Sequence, residues 1–279
     1  MKILFLGCGD IGQRTAALLA DKHQCFGFKR NPQNLPTGIT AIAGNITDPK
    51  QLQSAVSQGF DIWVATLTPA EFTERAYRDS YLAAAAAIST AVTVTQRPPK
   101  LVIWISSTSV YGDCGGAWVD ECSTAEPQTF SGQILLQAEQ IIQRLPCANT
   151  LVRFSGIYGA DSGRSRMLKQ IIAGQGRSAR PEQWSNRIHR EDCAGVLAHL
   201  IGLFGGGEKL QDIYLASDSQ PATQHQLRRW LAAQMSVELT EELAKPGATR
   251  RCSNRRLLEA GYQFKYPSYK EGYLALLAG

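Results

Sequence analysis

The first half of the chain alternates short apolar runs with longer segments in which apolar residues recur at helical spacing. The apolar runs predict strands at Ile3–Leu6, Cys25–Phe28, Thr40–Ala43, Ile62–Ala65, Leu101–Ile105 and Thr150–Val152. The helical spacing predicts helices at Gly12–Lys22, Asp48–Gln58, Ala70–Gln96 and Gly132–Leu145. Strands that alternate with helices in this way are typical of a doubly wound α/β fold, in which right-handed crossovers build one parallel sheet.

The pattern becomes looser after about residue 155. It predicts a helix at Asp192–Phe204, a strand at Asp212–Ala216 and a helix at Thr223–Met235, before a basic, turn-rich tail. We therefore expect one domain over residues 1–155 and a smaller C-terminal lobe over residues 156–279. A segment near residues 185–204 is expected to return to the first domain. Ligands of open α/β folds bind at the carboxyl ends of the strands, which such a lobe can cover.

A glycine pattern joins the first predicted strand to the first predicted helix. Gly7, Gly9 and Gly12 are spaced as Gly-x-Gly-x-x-Gly directly after an apolar run. In this context the first glycine permits a tight turn and the second lets backbone N–H groups approach a pyrophosphate. The third lets the helix pack closely on the strand. We predict a dinucleotide site here, with an ordinary glycine-rich turn as the alternative. The predicted contacts are Gly7, Gly9, Asp10, Ile11 and Gly12.

The end of the second predicted strand distinguishes between the two nicotinamide dinucleotides. An acid there usually accepts a hydrogen bond from the ribose 2′-hydroxyl of NAD, whereas an arginine accommodates the 2′-phosphate of NADP. The chain continues here as Phe28-Lys29-Arg30-Asn31-Pro32, without an acid. Lys29 and Arg30 favour NADP(H), with NAD still open, because a dianionic phosphate suits a guanidinium fork. The alternative is that both are solvated loop cations.

Two further strand ends supply candidate contacts to the adenine and its ribose. Asn45 and Ile46 follow the third predicted strand, and Ala65, Thr66 and Leu67 lie at the end of the fourth. Carboxyl ends of parallel strands meet at one edge of the sheet, so these positions are geometrically suitable. Asp48 is expected to cap the next helix rather than to bind a ligand.

The composition is that of an ordinary globular protein. The 279 residues are 44% hydrophobic and 19% charged, with a net charge of +5. This mild charge, without a long basic run, argues against nucleic-acid binding. No apolar stretch approaches the ~20 residues that cross a bilayer, so no membrane partner is expected. The seven cysteines include no CxxC pair and the four histidines show no ligand spacing. We therefore expect reduced thiols, no metal and a cytoplasmic location.

Four stretches together resemble the extended short-chain dehydrogenase/reductases, the epimerase/dehydratase group. They are Val102–Asp113, Leu151–Gly159, Asn186–Asp192 and Ile213–Ala216, which are similar to that family's fifth-strand segment, its later strand and loop, its entry to a late helix and a strand of its C-terminal lobe. The resemblance covers nearly the whole chain. It implies a Rossmann-type sheet with a smaller substrate lobe, an NAD(P) cofactor and a small-molecule substrate. It also adds Phe154 to the expected cofactor contacts.

The resemblance further implies a catalytic Tyr-x-x-x-Lys, and this pair is missing. The pair should fall within Glu126–Glu139. Alignment on Pro127, Gly132 and Ala138-Glu139 places Ser131 and Leu135 at these positions. A shift by one residue places Phe130 and Ile134 there instead. A phenol is a poor base at pH 7 without a nearby cation, so the ordinary proton transfer is not available from these residues.

Other residues are candidates for the chemistry. Ser107 falls where the family has the Ser or Thr that polarises the substrate. Tyr111 is the candidate for a non-standard acid/base; packing below a substrate loop is the alternative for Tyr111 and for Tyr158. His189 is expected to be structural, although a histidine can titrate near neutral pH. Asp192 is expected to be an N-cap or a first-turn acid.

Cations in the second half predict an anionic or nucleotide-linked substrate. Arg187 lies near the position at which the family's cations face a substrate diphosphate. The densest basic segment is Thr249–Leu258. The alternative is that Ser253 or Asn254 caps a short helix whose exposed face carries the arginines.

Two functions of different classes remain open. The first is an NAD(P)-dependent epimerase/dehydratase-type oxidoreductase that uses Ser107 and a non-standard acid/base. The alternative is a non-catalytic NADP(H)-binding protein that senses the redox state of the cofactor. The resemblance also implies a homodimer through the two long predicted helices, although core packing explains the same apolar residues. The candidate seam residues are Leu82, Ile88, Leu136 and Ile141.

Overall fold

The structure of the chain is a computed structural model that describes residues 1–160, 166–243 and 249–278. Contacts divide the chain into two compact units. The sheet unit comprises Met1–Val110, Thr129–Arg153 and Ala194–Tyr214, and the second unit comprises Tyr111–Gln128, Phe154–Cys193 and Leu215–Gly279. The units therefore interleave along the chain, whereas the sequence pattern predicts a boundary near residue 155 with a return to the first domain near residues 185–204.

The described residues form the following strands and helices. The strands are β1 (Lys2–Leu6), β2 (Gln24–Lys29), β3 (Ile39–Ala43), β4 (Ile62–Ala65), β5 (Leu101–Ser107), β6 (Trp118–Val119), β7 (Ala148–Phe154), β8 (Gly156–Tyr158), β9 (Trp184–Ser185), β10 (Arg187–His189), β11 (Ile213–Ala216), β12 (Ala222–Thr223) and β13 (Arg251–Cys252). The helices are α1 (Asp10–Leu19), α2 (Pro49–Val56), α3 (Glu74–Tyr77), α4 (Ala83–Val94), α5 (Phe130–Gln143), α6 (Arg166–Ile172), α7 (Arg190–Gly205), α8 (Gln224–Met235), α9 (Arg255–Glu259) and α10 (Tyr269–Leu277).

A seven-stranded parallel sheet in the order β11-β7-β5-β4-β1-β2-β3 confirms the predicted Rossmann-type fold. The chain builds outward from β1 in both directions, so the strand order reverses between β1 and β4, where doubly wound folds bind their ligands. β4 is buried along its whole length, as a parallel strand covered on both faces should be. The alanines of α4 pack on one face of the sheet with Trp63 and Trp104.

Two predicted helices differ from the observed ones. The first helix begins at Asp10 and ends at Leu19, earlier at both ends than predicted, because Gly9 is its N-cap and the chain turns after Leu19. The single helix predicted over Ala70–Gln96 is wrong. The first helix observed in this segment, α3, begins only at Glu74, where the Thr73 hydroxyl caps it by accepting from the Ala76 N–H at 3.3 Å. A π-helical turn, Arg78–Leu82, then separates α3 from α4.

The expected cap at the second helix is confirmed. Asp48 is the N-cap of α2, and its Oδ1 accepts from the backbone N–H groups of Lys50 at 3.0 Å and Gln51 at 3.1 Å. These bonds satisfy two of the N–H groups that a helix start leaves without a partner. Among the described residues, no helix combines the length and the apolar composition that a membrane-spanning segment requires.

Asp192 organises part of the second unit. It lies in the first turn of α7, which confirms the first-turn alternative, and it is fully buried. Its Oδ1 accepts from the Tyr262 hydroxyl at 2.9 Å and from the Lys265 N–H at 2.7 Å, while its Oδ2 accepts from the Tyr266 N–H at 3.0 Å. Burial raises the pKa of this carboxyl, and these hydrogen bonds oppose the rise. Asp192 therefore fixes the segment before α10 rather than capping a helix.

The basic segment of the second unit has partners within the unit. The Arg251 guanidinium lies over the rings of Trp118 and Trp184, at 5.2 and 4.9 Å from their centroids. Arg256 pairs with Glu121 at 3.7 Å. Arg255 begins the short helix α9, which supports the alternative that the arginines of this segment belong to a short helix. Asn254 does not cap α9 with its side chain; instead its amide donates to Ser217 O at 3.0 Å.

The candidate seam residues differ in exposure. Ile88 is fully buried in the core of the sheet unit, so its side chain is not available to a second copy. Leu82, Leu136 and Ile141 are half-buried. A homodimer stays a prediction.

Candidate functional site

The turn between β1 and α1 requires its first glycine. Gly7 has φ +77°, in the left-handed region that favours glycine, and its N–H donates to Phe28 O at 2.9 Å. A Cβ at this position would lie 2.6 Å from Cδ2 of Leu67. The sequence thus forms a tight turn that brings the end of β1 against the ends of β2 and β4.

The other two glycines have different surroundings. A Cβ on Gly12 would lie 2.7 Å from the Thr66 hydroxyl oxygen, so this glycine lets α1 approach the end of β4. Thr66 in turn donates to Gly7 O at 3.2 Å. A Cβ on Gly9 would meet only the Gly7 carbonyl oxygen, at 3.6 Å. The space beside Gly9 is therefore open.

The open space faces the start of α1. Gly9 is the N-cap of this helix and has extended backbone, without a side-chain hydrogen bond to the first turn. The N–H groups of a helix start and the helix dipole together favour an anion. Asp10 in the first turn pairs with Arg14 at 2.9 Å, which offsets its charge. This geometry fits one pyrophosphate beside Gly7 and Gly9.

A cleft of about 720 Å³ opens at this edge of the sheet unit. It brings together eight of the predicted cofactor contacts, which come from the ends of β1, β2, β3 and β4. They are Gly7, Gly9, Lys29, Arg30, Asn45, Ile46, Thr66 and Leu67. Among the residues that the structure describes, the other predicted contacts lie outside the lining of this cleft: Asp10, Ile11, Gly12, Ala65 and Phe154. Their contact with a cofactor stays a prediction.

The two cations at the end of β2 lie on this cleft. Lys29 is half-buried and Arg30 is exposed. Neither forms an ion pair with any residue in the described part of the chain. They occupy the position at which an NAD-selective site carries an acid. The arrangement is suited to a phosphate group placed beside the pyrophosphate turn.

The loop after β3 is fixed by its own hydrogen bonds. The Asn45 N–H donates to Gln51 Oε1 at 2.8 Å, and Gln51 Nε2 donates to Asp48 Oδ2 at 2.8 Å. Asn45 Oδ1 accepts from both the N–H and the hydroxyl of Thr47, at 3.2 and 3.1 Å. Ile46 is half-buried and packs on the core of the sheet unit. The loop thus presents the apolar side chain of Ile46 to the cleft, while the amide oxygen of Asn45 already accepts hydrogen bonds from Thr47.

Eight further lining residues are not among the predicted contacts, and five of them directly adjoin a predicted contact in the sequence: Phe28, Asn31, Gly44, Thr47 and Thr68. The other three were missed altogether. Asp79, Ser80 and Ala83 contribute to the cleft from the π-helical turn and the start of α4. A signal for them existed, because the predicted helix Ala70–Gln96 follows β4 directly and therefore begins at the edge of the sheet where ligands bind. The exact face was not predictable, since the π-helical turn shifts the helical register.

The candidate catalytic residues have contrasting environments. Ser107 ends β5 and is half-buried, and its Oγ accepts from the Ser109 N–H at 3.1 Å. Tyr111 is fully buried in the second unit, as a packing residue is. On α5, Ser131 and Leu135 are both buried, and the Ser131 hydroxyl lies 3.1 Å from that of Thr129. Leucine at this position has no group that shifts a neighbour's pKa or binds a ribose.

Arg187 lies in a polar cluster inside the second unit. It is only 5% exposed, and its Nη2 donates to the Ser185 hydroxyl at 2.6 Å. Its guanidinium lies 5.8 Å from the Tyr269 ring centroid, while Nη1 has no hydrogen-bond partner among the described residues. Asp218 is buried in the same unit, and burial raises its pKa to about 7 although Arg187 opposes the rise. A buried guanidinium with a free N–H is a candidate contact for an anion.

Comparisons with known proteins agree with this geometry. A family model described as NAD(P)H-binding matches residues 7–202. A solved protein from Methylobacillus flagellatus, assigned as an NAD-dependent epimerase/dehydratase, is 35% identical, with a TM-score of 0.84 over 99% of this chain and 97% of that chain. Human epimerase family protein SDR39U1, solved with NADPH, shares the fold at 20% identity, with a TM-score of 0.77 over 98% of this chain and 97% of that chain.

A curated relative matches over a shorter region. Protein YeeZ of Escherichia coli K12 is 27% identical over 175 residues. The match spans 62% of this chain and 61% of YeeZ, which is less than two thirds of the relative's own length.

Proposed function

Because this chain belongs to the NAD(P)H-binding proteins of the epimerase/dehydratase-like, extended short-chain dehydrogenase/reductase group, we propose that it is an NADP(H)-dependent oxidoreductase of that type. One observation carries the preference for NADP(H). Lys29 and Arg30, without ion-pair partners in the described residues, line the same cleft as the glycine turn. A 2′-phosphate would supply the negatively charged partner that these two cations lack in the described residues.

The chain's own residues would hold the cofactor in three places. The turn at Gly7 and Gly9 and the start of α1 bind the pyrophosphate through backbone N–H groups. Arg30, with Lys29 beside it, binds the 2′-phosphate. Ile46 offers an apolar contact to the adenosine. When bound, the nicotinamide ring supplies hydride transfer.

Ser107 is the residue that polarises the substrate in this proposal. The Ser109 N–H occupies one lone pair of the Ser107 oxygen, which leaves its O–H free to donate to a substrate carbonyl or hydroxyl oxygen. The full burial of Tyr111 favours its packing role, so the proposal gives it no contact with the substrate. Ser131 and Leu135 supply neither a phenol nor an ammonium group, and the acid/base is therefore not the family's usual pair.

An anionic or nucleotide-linked substrate is proposed on the basis of Arg187. Its free Nη1 is buried, and an unpaired buried N–H donor is costly unless an anion or another acceptor binds it. A substrate phosphate or carboxylate provides such an acceptor. Arg187→Met is expected to raise KM for the best substrate of the panel described next.

Isotope transfer tests the oxidoreductase activity. The purified protein is incubated with NADPH deuterated at C4 and a panel of keto-sugar nucleotides and small carbonyl compounds, each of which offers a carbonyl carbon to the hydride. We expect deuterium in one product class, and Ser107→Ala should lower kcat about a hundredfold. Ser109→Ala is the matched control, because it keeps the backbone N–H that orients Ser107. Tight NADPH binding with no transfer to any compound would contradict the enzyme and favour the redox-sensing alternative.

A further inference from the structure

Two buried residues of the second unit, Arg187 and Asp218, carry opposite charges and are neighbours in space. The Asp218 N–H donates to Arg187 O at 2.7 Å, and the Ser217 hydroxyl donates to the same oxygen at 3.3 Å. These bonds hold the segment after β11 against β10. Asp218 is only 1% exposed and Arg187 only 5%. The backbone therefore fixes a carboxyl group and a guanidinium in one buried cluster.

Each of the two side chains leaves one polar atom without a partner. Asp218 Oδ1 accepts from the Gln220 N–H at 3.2 Å, but Oδ2 has no hydrogen-bond partner among the described residues. Arg187 Nη2 donates to the Ser185 hydroxyl, whereas Nη1 has no partner within the described part of the chain. A buried polar atom without a partner costs free energy. The cluster therefore favours a ligand that offers an acceptor to Arg187.

Aromatic rings pack around the two charged groups. The ring of Tyr158 stacks on that of Tyr273, with centroids 4.6 Å apart, and the Arg187 guanidinium lies 5.8 Å from the Tyr269 ring centroid. A Cβ on Gly272 would overlap the Tyr158 hydroxyl, so this glycine lets the ring approach α10. Rings of this kind exclude water, and charges that water does not screen act strongly on each other.

Arg187 favours the charged form of Asp218. Burial raises the pKa of the Asp218 carboxyl to about 7, and the Arg187 charge is the largest of the effects that oppose this rise. An anion bound to Arg187 would neutralise that charge and place a second negative charge near the carboxylate. Both effects disfavour the ionised carboxyl. Asp218 should therefore take up a proton when Arg187 binds an anion.

The other titratable groups of this cluster are less suited to the same response. They come from β8, β10, α7 and α10, and they are Tyr158, His189, Asp192, Tyr269, Glu271 and Tyr273. Burial raises the pKa of the three tyrosines, so they stay neutral. Asp192 already accepts three hydrogen bonds, and a hydrogen bond from Ser268 lowers the pKa of Glu271. His189 is the other group here that can titrate near neutral pH.

We propose that Asp218 takes up a proton from solvent when an anion binds at Arg187, so that the second unit binds anions more tightly as the pH falls through neutrality. This inference rests on the anion site proposed at Arg187 and adds a pH-dependent regulation to it. By linkage, the proton and the anion increase each other's affinity by the same factor. Above neutral pH the Asp218 carboxylate offsets the Arg187 charge and repels the anion.

Calorimetric titration with sulfate tests this inference, because sulfate does not change its charge between about pH 6 and pH 8. We expect Kd of the unsubstituted protein to be about tenfold higher at pH 8 than at pH 6, as one linked proton on a carboxyl with a pKa of about 7 predicts. Titrations at about pH 7 in two buffers of different ionisation enthalpy should show an uptake of about half a proton for each sulfate. Asp218→Asn should bind sulfate with the same Kd at both pH values and take up no proton.

Glu259→Gln is the matched control, because it removes an exposed acid of the same unit. Glu259 pairs with Arg255 at 2.6 Å and is 60% exposed. This variant should keep the tenfold ratio of Kd values. A ratio that persists in Asp218→Asn would assign the titration to another group, such as His189, and overturn the inference alone. Sulfate binding that is lost in Arg187→Met but does not depend on pH overturns it in the same way.

Two results would contradict the proposed anion site as well as the inference. The first is sulfate binding that is equally tight in Arg187→Met and in the unsubstituted protein. The second is an unsubstituted protein that does not bind sulfate at either pH.

Discussion

Glu139 accepts two hydrogen bonds from the guanidinium of Arg153, with Nε 3.0 Å from Oε1 and Nη2 2.6 Å from Oε2. The two side chains are 1% and 5% exposed, so this ion pair is buried. It joins α5 to β7 within the sheet unit. Because both charged groups are buried, removal of either one leaves the charge of the other without compensation.

Removing the acid of this pair should destabilise the protein strongly. Glu139→Gln leaves the Arg153 charge buried, and we expect the free energy of unfolding to fall by about 3–5 kcal/mol. Asp10→Asn is the control, because its pair with Arg14 is partly exposed and worth about 1 kcal/mol or less. Urea unfolding at neutral pH measures both. Similar losses of stability in the two variants would contradict the conclusion that the buried ion pair matters more than the partly exposed one.

The close approach of α1 to β4 gives a coupling prediction. Gly12→Ala places a Cβ 2.7 Å from Thr66 Oγ1, so we expect overpacking to cost about 1–3 kcal/mol. Thr66→Ala removes this oxygen, and the next atoms lie at 3.6 Å. The double variant should therefore be more stable than the sum of the two single effects predicts. Additive effects in urea unfolding would show that the contact does not limit the packing.

Substitution of Gly9 should weaken cofactor binding while it leaves the stability of the fold nearly unchanged. A Cβ at this position meets no neighbour closer than 3.6 Å, so Gly9→Ala should change the free energy of unfolding by about 1 kcal/mol or less. The same Cβ enters the space proposed for the pyrophosphate. We expect Kd for NADPH to rise at least about tenfold, a loss of roughly 1.4 kcal/mol. Unchanged NADPH affinity in calorimetric titration would place the pyrophosphate elsewhere.

Asp218 gives a pH dependence. Its pKa rises from 3.8 to about 7 in the folded protein, first because of burial, so the folded state binds the proton more tightly than the unfolded state. Well below pH 4 the Asp218 carboxyl is protonated in both the folded and the unfolded state, so its raised pKa does not lower the free energy of unfolding. As the pH rises toward 7 stability falls, by about 1.4 kcal/mol for each unit of the pKa difference, and the full loss is reached above pH 7.

The Asp218→Asn variant should remove this loss. We expect its gain in stability over the parent protein to be small at pH 4.5–5 and large at about pH 8, since asparagine does not titrate and can still accept from the Gln220 N–H. Urea unfolding at both pH values measures the difference. A gain that is independent of pH, or larger at the acidic pH, would contradict the raised pKa.

Much of the sheet was predictable from the sequence, because buried parallel strands are near-continuous apolar runs. β4 was predicted at its observed bounds, Ile62–Ala65, and Asp48 was recognised as a cap. These features depend on residues that are close in sequence. The π-helical turn was not predictable, because helical spacing in an alanine-rich segment does not distinguish a π turn from an α turn.

The parts of the site that escaped prediction depend on contacts between distant residues. Asp79 lines the cleft from a π-helical turn, beside which the rings of Tyr77 and Tyr81 pack on each other and on Trp104. Asp192 binds backbone groups more than seventy positions later in the chain. Periodicity and local motifs contain no information on such pairings. The glycine turn was predictable because its strand, turn and helix are contiguous.

The comparison of NADPH with NADH tests directly whether the cleft between the glycine turn and Arg30 holds NADP(H). Titration at fixed ionic strength should give the unsubstituted protein a tighter Kd for NADPH than for NADH. Arg30→Ala should weaken NADPH binding about tenfold or more and change NADH binding less than about threefold, because only NADPH carries the 2′-phosphate.

Arg14→Gln provides the control for this measurement, since it removes a cation of the same unit that pairs with Asp10 and lies outside the lining of the described cleft. It should leave the ratio of the two affinities unchanged. Binding of NADP(H) in this cleft requires that the preference for NADPH disappears in Arg30→Ala and persists in Arg14→Gln. Equal affinities for NADPH and NADH in the unsubstituted protein, or an equal loss of both in Arg30→Ala, would contradict it.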